Sequence, residues 1–172
     1  MKNKILFLVV MSILFLTACS EQKEPQNNFK IYPQYLAQGK IILITNNQTD
    51  VFNFTEKKIN GKTYLILKKD KLEIYIQKEK DKLIINNNLQ VSLDFDKIFL
   101  NYYLNLLVNS EKIEVTQKDK SAIITLELNG DVQYLHYYFE NRSLKRIDIF
   151  YKDKRFFRRY EIDSYIKLKG DG

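Results

Sequence analysis

From Lys71 to Lys78 apolar and polar residues alternate without a break: Leu72, Ile74 and Ile76 fall on one side, Glu73, Tyr75 and Gln77 on the other. That period of two belongs to a strand with one buried face. The same reading extends through the first half of the chain. Lys40 to Thr45 is apolar and β-branched, Asn46 to Asp50 is a turn cluster, and Val51 to Thr55 returns with Phe52 and Phe54 on one face. Asn60-Gly61 predicts a two-residue hairpin, because both turn positions need positive φ and these two residues tolerate it. Lys62 to Lys68, Leu83 to Ile85 and Gln90 to Leu93 complete the set, the last two divided by Asn86-Asn87-Asn88. Ahead of them, Phe29 to Gln38 reads as a short helical or irregular lead-in that Gly39 terminates.

One segment breaks the period of two. Phe95, Ile98, Phe99, Tyr102 and Leu106 recur at helical spacing, and Tyr103, Leu104, Leu107 and Val108 widen the stripe. Asp94 or Asp96 is placed to cap this helix, and Asn109-Ser110 ends it. Strands then resume at Lys112 to Thr116, Ser121 to Leu128, Val132 to Glu140, Leu144 to Tyr151 and Arg155 to Tyr165, separated by turns that include Asn129-Gly130, Asn141-Arg142-Ser143 and Lys152-Asp153-Lys154. Several exceed the usual ~5–6 residues of a strand, as the wall of a curved sheet requires. Short connections throughout favour an antiparallel meander. The expected fold is mainly β (α+β): a strongly curved antiparallel sheet forming an open half-barrel over residues 31–172, with one central apolar helix as its lid.

The N-terminus follows neither pattern. Lys2 and Lys4 precede an almost unbroken apolar run from Ile5 to Leu16, closed by the small residues Thr17 and Ala18. That is the layout of a secretory signal, too short to span a hydrocarbon core that needs about 20 residues. Leu16-Thr17-Ala18-Cys19 resembles the lipobox of bacterial lipoproteins. The resemblance implies cleavage after residue 18 and lipid attachment at Cys19 as an N-acyl diglyceride cysteine carrying chains such as palmitate. Residues 19–30 then form the acylated cysteine and a flexible tether, polar from Ser20 to Asn28 and interrupted by Pro25. Ser20 directly after the cysteine, under the sorting rule of this class, favours the outer membrane. The expected location is the bacterial cell envelope, lipid-anchored and facing the periplasm.

Composition narrows the chemistry. Cys19 is the only cysteine, so neither an intramolecular disulfide nor a cysteine-based metal cluster is available. His136 is the only histidine and lacks a second ligand of its kind. Asp94 with Asp96, and Glu127 with Asp131, flank a helix start and a turn, where capping and solvation account for them. No phosphate-cradling glycine loop or nucleophile elbow is present. The chain reads as a monomer that is not an enzyme, with no cofactor, metal or nucleic acid. The net charge of +7 includes Lys2 and Lys4 of the leader, and basic residues concentrate only between Arg142 and Arg159. Interleaved with Phe150, Tyr151, Phe156 and Phe157, these read as solvated edge strands or as attraction to anionic headgroups.

The aromatic content is high, with 12 Tyr and 11 Phe. Such residues fill a core or line a cleft for acyl chains. The order of elements then becomes informative: a lipobox, a tether, Gly39-Lys40 opening a meander, one apolar helix, and the closing runs Leu144-Lys145-Arg146-Ile147-Asp148-Ile149 and Arg158-Arg159-Tyr160-Glu161-Ile162-Asp163-Ser164-Tyr165. Over residues 39–165 this resembles the carrier and receptor superfamily that delivers lipoproteins to the outer membrane, the Lol type. The resemblance implies a half-barrel sheltering acyl chains, with the acyl chains of other lipoproteins or a periplasmic carrier as partners and the membrane engaged through Cys19. The groove would be lined by Ile42, Ile44, Phe52, Phe54, Tyr64, Ile66, Leu72, Ile74, Ile76, Ile124, Leu126, Ile147, Ile149 and Tyr160, with Ile98, Phe99 and Tyr102 as a movable lid. The chain departs from that family in having no Trp and in the polarity of its Lys57–Lys62 and Glu79–Lys82 loops, where Ile59 is the one apolar residue. The competing expectation is a lipid-anchored β-rich interaction module, an envelope-assembly accessory or an inhibitor, with a filled core and no ligand.

Overall fold

A computed structural model describes residues 29–46, 48–80, 82–85 and 95–169. The leader, Cys19, most of the tether, Asp94 and the expected strand Gln90–Leu93 lie outside the described residues. The strands are β1 (Tyr35–Thr45), β2 (Gln48–Ile59), β3 (Lys62–Lys69), β4 (Leu72–Glu79) and β5 (Lys82–Ile85), then β6 (Glu114–Lys118), β7 (Ser121–Glu127), β8 (Val132–Glu140), β9 (Ser143–Tyr151) and β10 (Phe156–Lys167). Between the two groups lie a 3₁₀ turn, Phe95–Ile98, and one α-helix, α1 (Leu100–Asn109). All ten strands form one antiparallel sheet in the order β5-β4-β3-β2-β1-β10-β9-β8-β7-β6. Two five-stranded meanders are thus joined where the first strand meets the last. The ends β5 and β6 stay unpaired with each other, so the sheet is an open half-barrel.

Turn chemistry fixes the first meander. Asn60 and Gly61 take φ of 50° and 75°, the double positive value that a tight hairpin twisting with its strands demands. Asn129 and Gly130 do not: neither has positive φ, and β7 and β8 are joined by a wider loop in which the Leu128 N–H donates to the Gln133 carbonyl at 2.9 Å. Gly39 also differs from expectation. It ends no lead-in, because β1 already begins at Tyr35, and it sits where the β1–β10 register shifts between Gln38 and Gly39. A Cβ there would stand 1.9 Å from the Glu161 carbonyl oxygen, so the close approach of β10 requires glycine.

Pairing sets the parity of each strand. Ile41 is opposite Phe52 on β2 and Tyr160 on β10, and these three share the inward face with Ala37, Phe54 and Leu67. On β4, Ile74 and Ile76 face inward opposite Leu67 and Leu65. Ala122, Ile124 and Leu126, then Leu135, Tyr137 and Phe139, then Leu144, Ile147 and Ile149, continue that face across β7, β8 and β9. Four expected groove residues are therefore misassigned: Ile42, Ile44, Tyr64 and Ile66 lie on the outward face. Ile42 is paired with Arg159 and Val51, and Ile66 with Thr55 and Tyr75. The inward residues of β3 are Thr63, Leu65 and Leu67 instead. The basic strands β9 and β10 also stand at the centre of the sheet, so the solvated-edge explanation of their charge is replaced by the pairing described below.

The helix is shorter than its pattern suggests. The chain breaks at Phe99, which is extended at φ −82° and ψ 134°, and α1 starts at Leu100 with no cap from the preceding side chain. Leu100, Tyr103, Leu104 and Leu107 form its buried face, while Tyr102 and Leu106 are half-buried and Val108 is exposed.

Candidate functional site

Polar groups rising from the apolar inward face hold the helix against the sheet. Glu56 continues the inward phase of β2 after Phe52 and Phe54 and is completely buried. Its Oε2 accepts the Leu100 N–H at 2.7 Å, and its Oε1 accepts the Asn101 N–H at 2.8 Å and the Tyr35 O–H at 2.5 Å. A side chain far away in sequence thus caps the positive end of α1. Burial raises the Glu56 carboxyl to about 7, against the pull of the Tyr35 hydroxyl, the two helix amides and Lys58. Burial, and then the neighbouring carboxylate, push the Tyr35 phenol well above its ordinary value. From β10, Tyr160 donates to the Ile98 carbonyl at 2.7 Å, and the Arg158 guanidinium donates to the Lys97 carbonyl. From β8, Tyr137 donates to the Tyr103 carbonyl at 2.7 Å.

This arrangement changes the role of the expected groove. Phe54, Ile74, Ile76, Ile124, Leu126, Ile147, Ile149 and Tyr160 are buried, Phe52 and Leu72 pack against them, and Ile98 and Phe99 are themselves core. The structure brings these residues together as the interface between sheet and helix. Ile98 and Phe99 are buried in that interface rather than covering an open groove, and Tyr102 is a half-buried neighbour whose ring meets Tyr103 edge-on.

The open space lies to one side. A cleft of about 450 Å³ runs between α1 and the N-terminal segment. Phe29, Ile31, Tyr32 and Pro33 form one wall, and Leu104, Leu107 and Val108 of α1 form the other. Tyr35 and Ile124 also line it, and of the seventeen expected groove residues Ile124 alone does so. The N-terminal wall is fixed at three points: the Lys30 N–H donates to the Arg142 carbonyl at 2.9 Å, Phe29 rests on Phe139 with ring centroids 4.5 Å apart, and the Tyr32 N–H donates to the Tyr165 hydroxyl at 3.0 Å. The polar lining is concentrated in Lys58, Asn101 and Asn105. The Lys58 Nζ donates to the Asn101 Oδ1 at 2.7 Å. Burial lowers the Lys58 ammonium from its ordinary value, and Glu56 partly restores it.

The outward face carries a second cluster. Asp148, only 2% exposed, accepts from the Arg159 Nε at 2.7 Å and Nη2 at 3.2 Å, and the Arg146 Nε lies 3.4 Å away. Arg146 stacks over Tyr138 at 3.6 Å and Arg159 over Phe157 at 5.3 Å, while His136 lies against Phe150 at 4.9 Å. Arg155 pairs with Asp153 at 2.6 Å. Much of the basic run is therefore compensated on the surface of the sheet. Glu127 and Asp131 are exposed beside their turn.

Sequence reasoning missed Glu56 and Lys58, and it read Arg158 only as part of a basic run. A signal existed for the first two, since both continue the alternation begun by Phe52 and Phe54. Extending β2 by four residues would have put a carboxylate and an amine on the buried face.

No protein-family model matches the chain, and no curated protein matches it. Among solved structures, the chain is similar to a domain from Vibrio parahaemolyticus named as an outer membrane lipoprotein-sorting protein. The alignment covers 82% of this chain and 88% of that one, at 5% identity and a TM-score of 0.37. A likeness at that level bears on neither ligand nor partner.

Proposed function

We propose that this is a lipid-anchored domain of the bacterial envelope that takes up a single acyl chain in the cleft between α1 and the Phe29–Pro33 segment, as a module for moving lipoproteins or their lipid chains toward the outer membrane. The observation that carries this reading is the cleft itself. Its volume of about 450 Å³ falls within the ordinary range of small-molecule sites, and its apolar walls also carry an ammonium and two amides, the combination an amphiphile needs. The lipobox resemblance at Leu16-Thr17-Ala18-Cys19 supports the location. Each methylene buried contributes about 0.8 kcal/mol, so two more carbons in a ligand should tighten binding roughly tenfold until the cleft is full.

The test uses the full chain carrying Cys19→Ser, so that no resident lipid competes, and the neutral fluorophore N-phenyl-1-naphthylamine. The probe is expected to bind at micromolar concentration and to be displaced by fatty acids with an affinity that climbs with chain length. Val108→Asp puts a charge on the cleft wall at a residue already 53% exposed, so it should abolish binding while leaving the unfolding midpoint near that of the parent. Absence of probe binding by the parent would favour the interaction module instead, a reading that the filled space between sheet and helix also fits.

A further inference from the structure

The cleft carries one charged residue among those that line it, Lys58. Its amine is oriented by a neutral amide, the Asn101 Oδ1 at 2.7 Å, which directs the charge without neutralising it. Glu56, two residues away on the same face of β2, is the carboxylate that acts on Lys58 through space, but both its oxygens accept from the helix amides and from Tyr35. Asn105 follows Asn101 by one helical turn, so its amide lines the same side of the cleft and adds an N–H₂ donor there. The result is an ammonium and two amides set among apolar walls.

We infer that the cleft selects an acyl chain ending in a single anionic head, a carboxylate or a phosphate, which Lys58 holds as a charge-assisted hydrogen-bond donor with Asn101 and Asn105 beside it. This rests on the acyl-chain reading above and names the class of ligand for the same site. An inorganic anion does not fit the class, because the walls offer apolar surface and no further cation. A neutral alcohol of the same chain length loses the charged contact. A cationic head meets Lys58 as a like charge.

The experiment is competition against prebound N-phenyl-1-naphthylamine on the full chain carrying Cys19→Ser, with laurate, dodecyl phosphate and dodecanol as competitors. Laurate or dodecyl phosphate should displace the probe at concentrations at least roughly tenfold lower than dodecanol, the scale of one hydrogen bond to a charged group. Whichever anion is preferred identifies the source of the head. Lys58→Met should erase the preference for an anion, with the affinity for the probe and the unfolding midpoint remeasured on that variant, and Lys58→Arg should retain it. Equal displacement by dodecanol, or an anion preference that survives Lys58→Met, overturns the assignment of the head while leaving the acyl-chain site standing. A parent that fails to bind the probe removes the site as well.

Discussion

Glu56→Gln should turn a pH-dependent stability into a flat one, with the two curves crossing near neutrality. In the folded chain the Glu56 carboxyl is raised from 4.5 to about 7 by burial. A group whose folded pKa lies above its unfolded value binds a proton on folding between those two values. Its stabilising contribution is complete below about pH 4.5 and is lost as pH rises through about 7. At about 1.4 kcal/mol for each pH unit by which the two states differ, the whole window is worth on the order of 3 kcal/mol. Glutamine removes this titration but creates a different cost. Three donors converge on the carboxylate: the Leu100 N–H on Oε2, and the Asn101 N–H and the Tyr35 O–H on Oε1. Either orientation of the amide turns its N–H₂ toward one of the helix N–H groups, leaving a buried donor unpaired at about 1–3 kcal/mol. A protonated carboxyl avoids this, because its hydroxyl oxygen still accepts.

The variant should therefore be less stable than the parent at pH 5 by about 1–3 kcal/mol. By pH 8 the gap should have closed or reversed, because the parent alone loses stability across that interval. Tyr35, Tyr160, Tyr165 and Lys58 act on Glu56, or are acted on by it, and all are common to both proteins, so the difference between the curves isolates Glu56. Urea unfolding at fixed temperature from pH 5 to 8 reads this directly, provided the dependence on urea is the same for both. A stability difference that stays constant across that range would refute the argument, since it would mean that Glu56 is ionised, or neutral, throughout.

Two further outcomes test the anchor and the strand parity. Cys19→Ala should release the protein from membranes or leave it unprocessed, because the two or three acyl chains of a bacterial lipoprotein hold stably where one binds only marginally; normal cleavage with unchanged membrane retention in fractionation would contradict the lipobox assignment. Leu65→Ala should cost about 2–5 kcal/mol in urea unfolding, as a large-to-small change in a packed core does, whereas Ile66→Ala, on the outward face beside it, should cost well under half as much; equal costs would place the wrong face of β3 inward.

How much of this was legible in the sequence depended on whether a segment carried its own contrast. β4 did, since Glu73 and Gln77 mark one face as wet and Ile74 and Ile76 the other as buried. β8 was bounded correctly at Val132 and Glu140 by flanking turn residues. The runs Ile41-Ile42-Leu43-Ile44 and Tyr64-Leu65-Ile66-Leu67 carry no contrast, and their parity is settled by the strands they meet: Ile41 faces inward because Tyr160 and Phe52 stand opposite it. Gly39 looked like a terminator because its reason is non-local, the Glu161 carbonyl occupying the space where a Cβ would stand. The start of α1 was unreadable for the same cause. Asp94 and Asp96 are near in sequence, yet the carboxylate that receives the helix amides comes from Glu56, a separation of 44 residues from Leu100.

That non-local cap also decides which part of the structure can give way to a ligand. Moving α1 would break the bonds from Glu56, Tyr160, Arg158 and Tyr137 together and expose Leu100, Tyr103, Leu104 and Leu107, a cost that grows with every buried group uncovered. The opposite wall is held more lightly: Phe29, Ile31 and Tyr32 are half-buried, and its backbone is tied to the rest of the fold by the Lys30 and Tyr32 amides. If an acyl chain enters the cleft as proposed, it should therefore displace the N-terminal segment before it displaces the helix. On the proposed reading the helix is the fixed jaw, and the adjustable side of the site is the segment that leads back toward Cys19, the proposed point of lipid attachment.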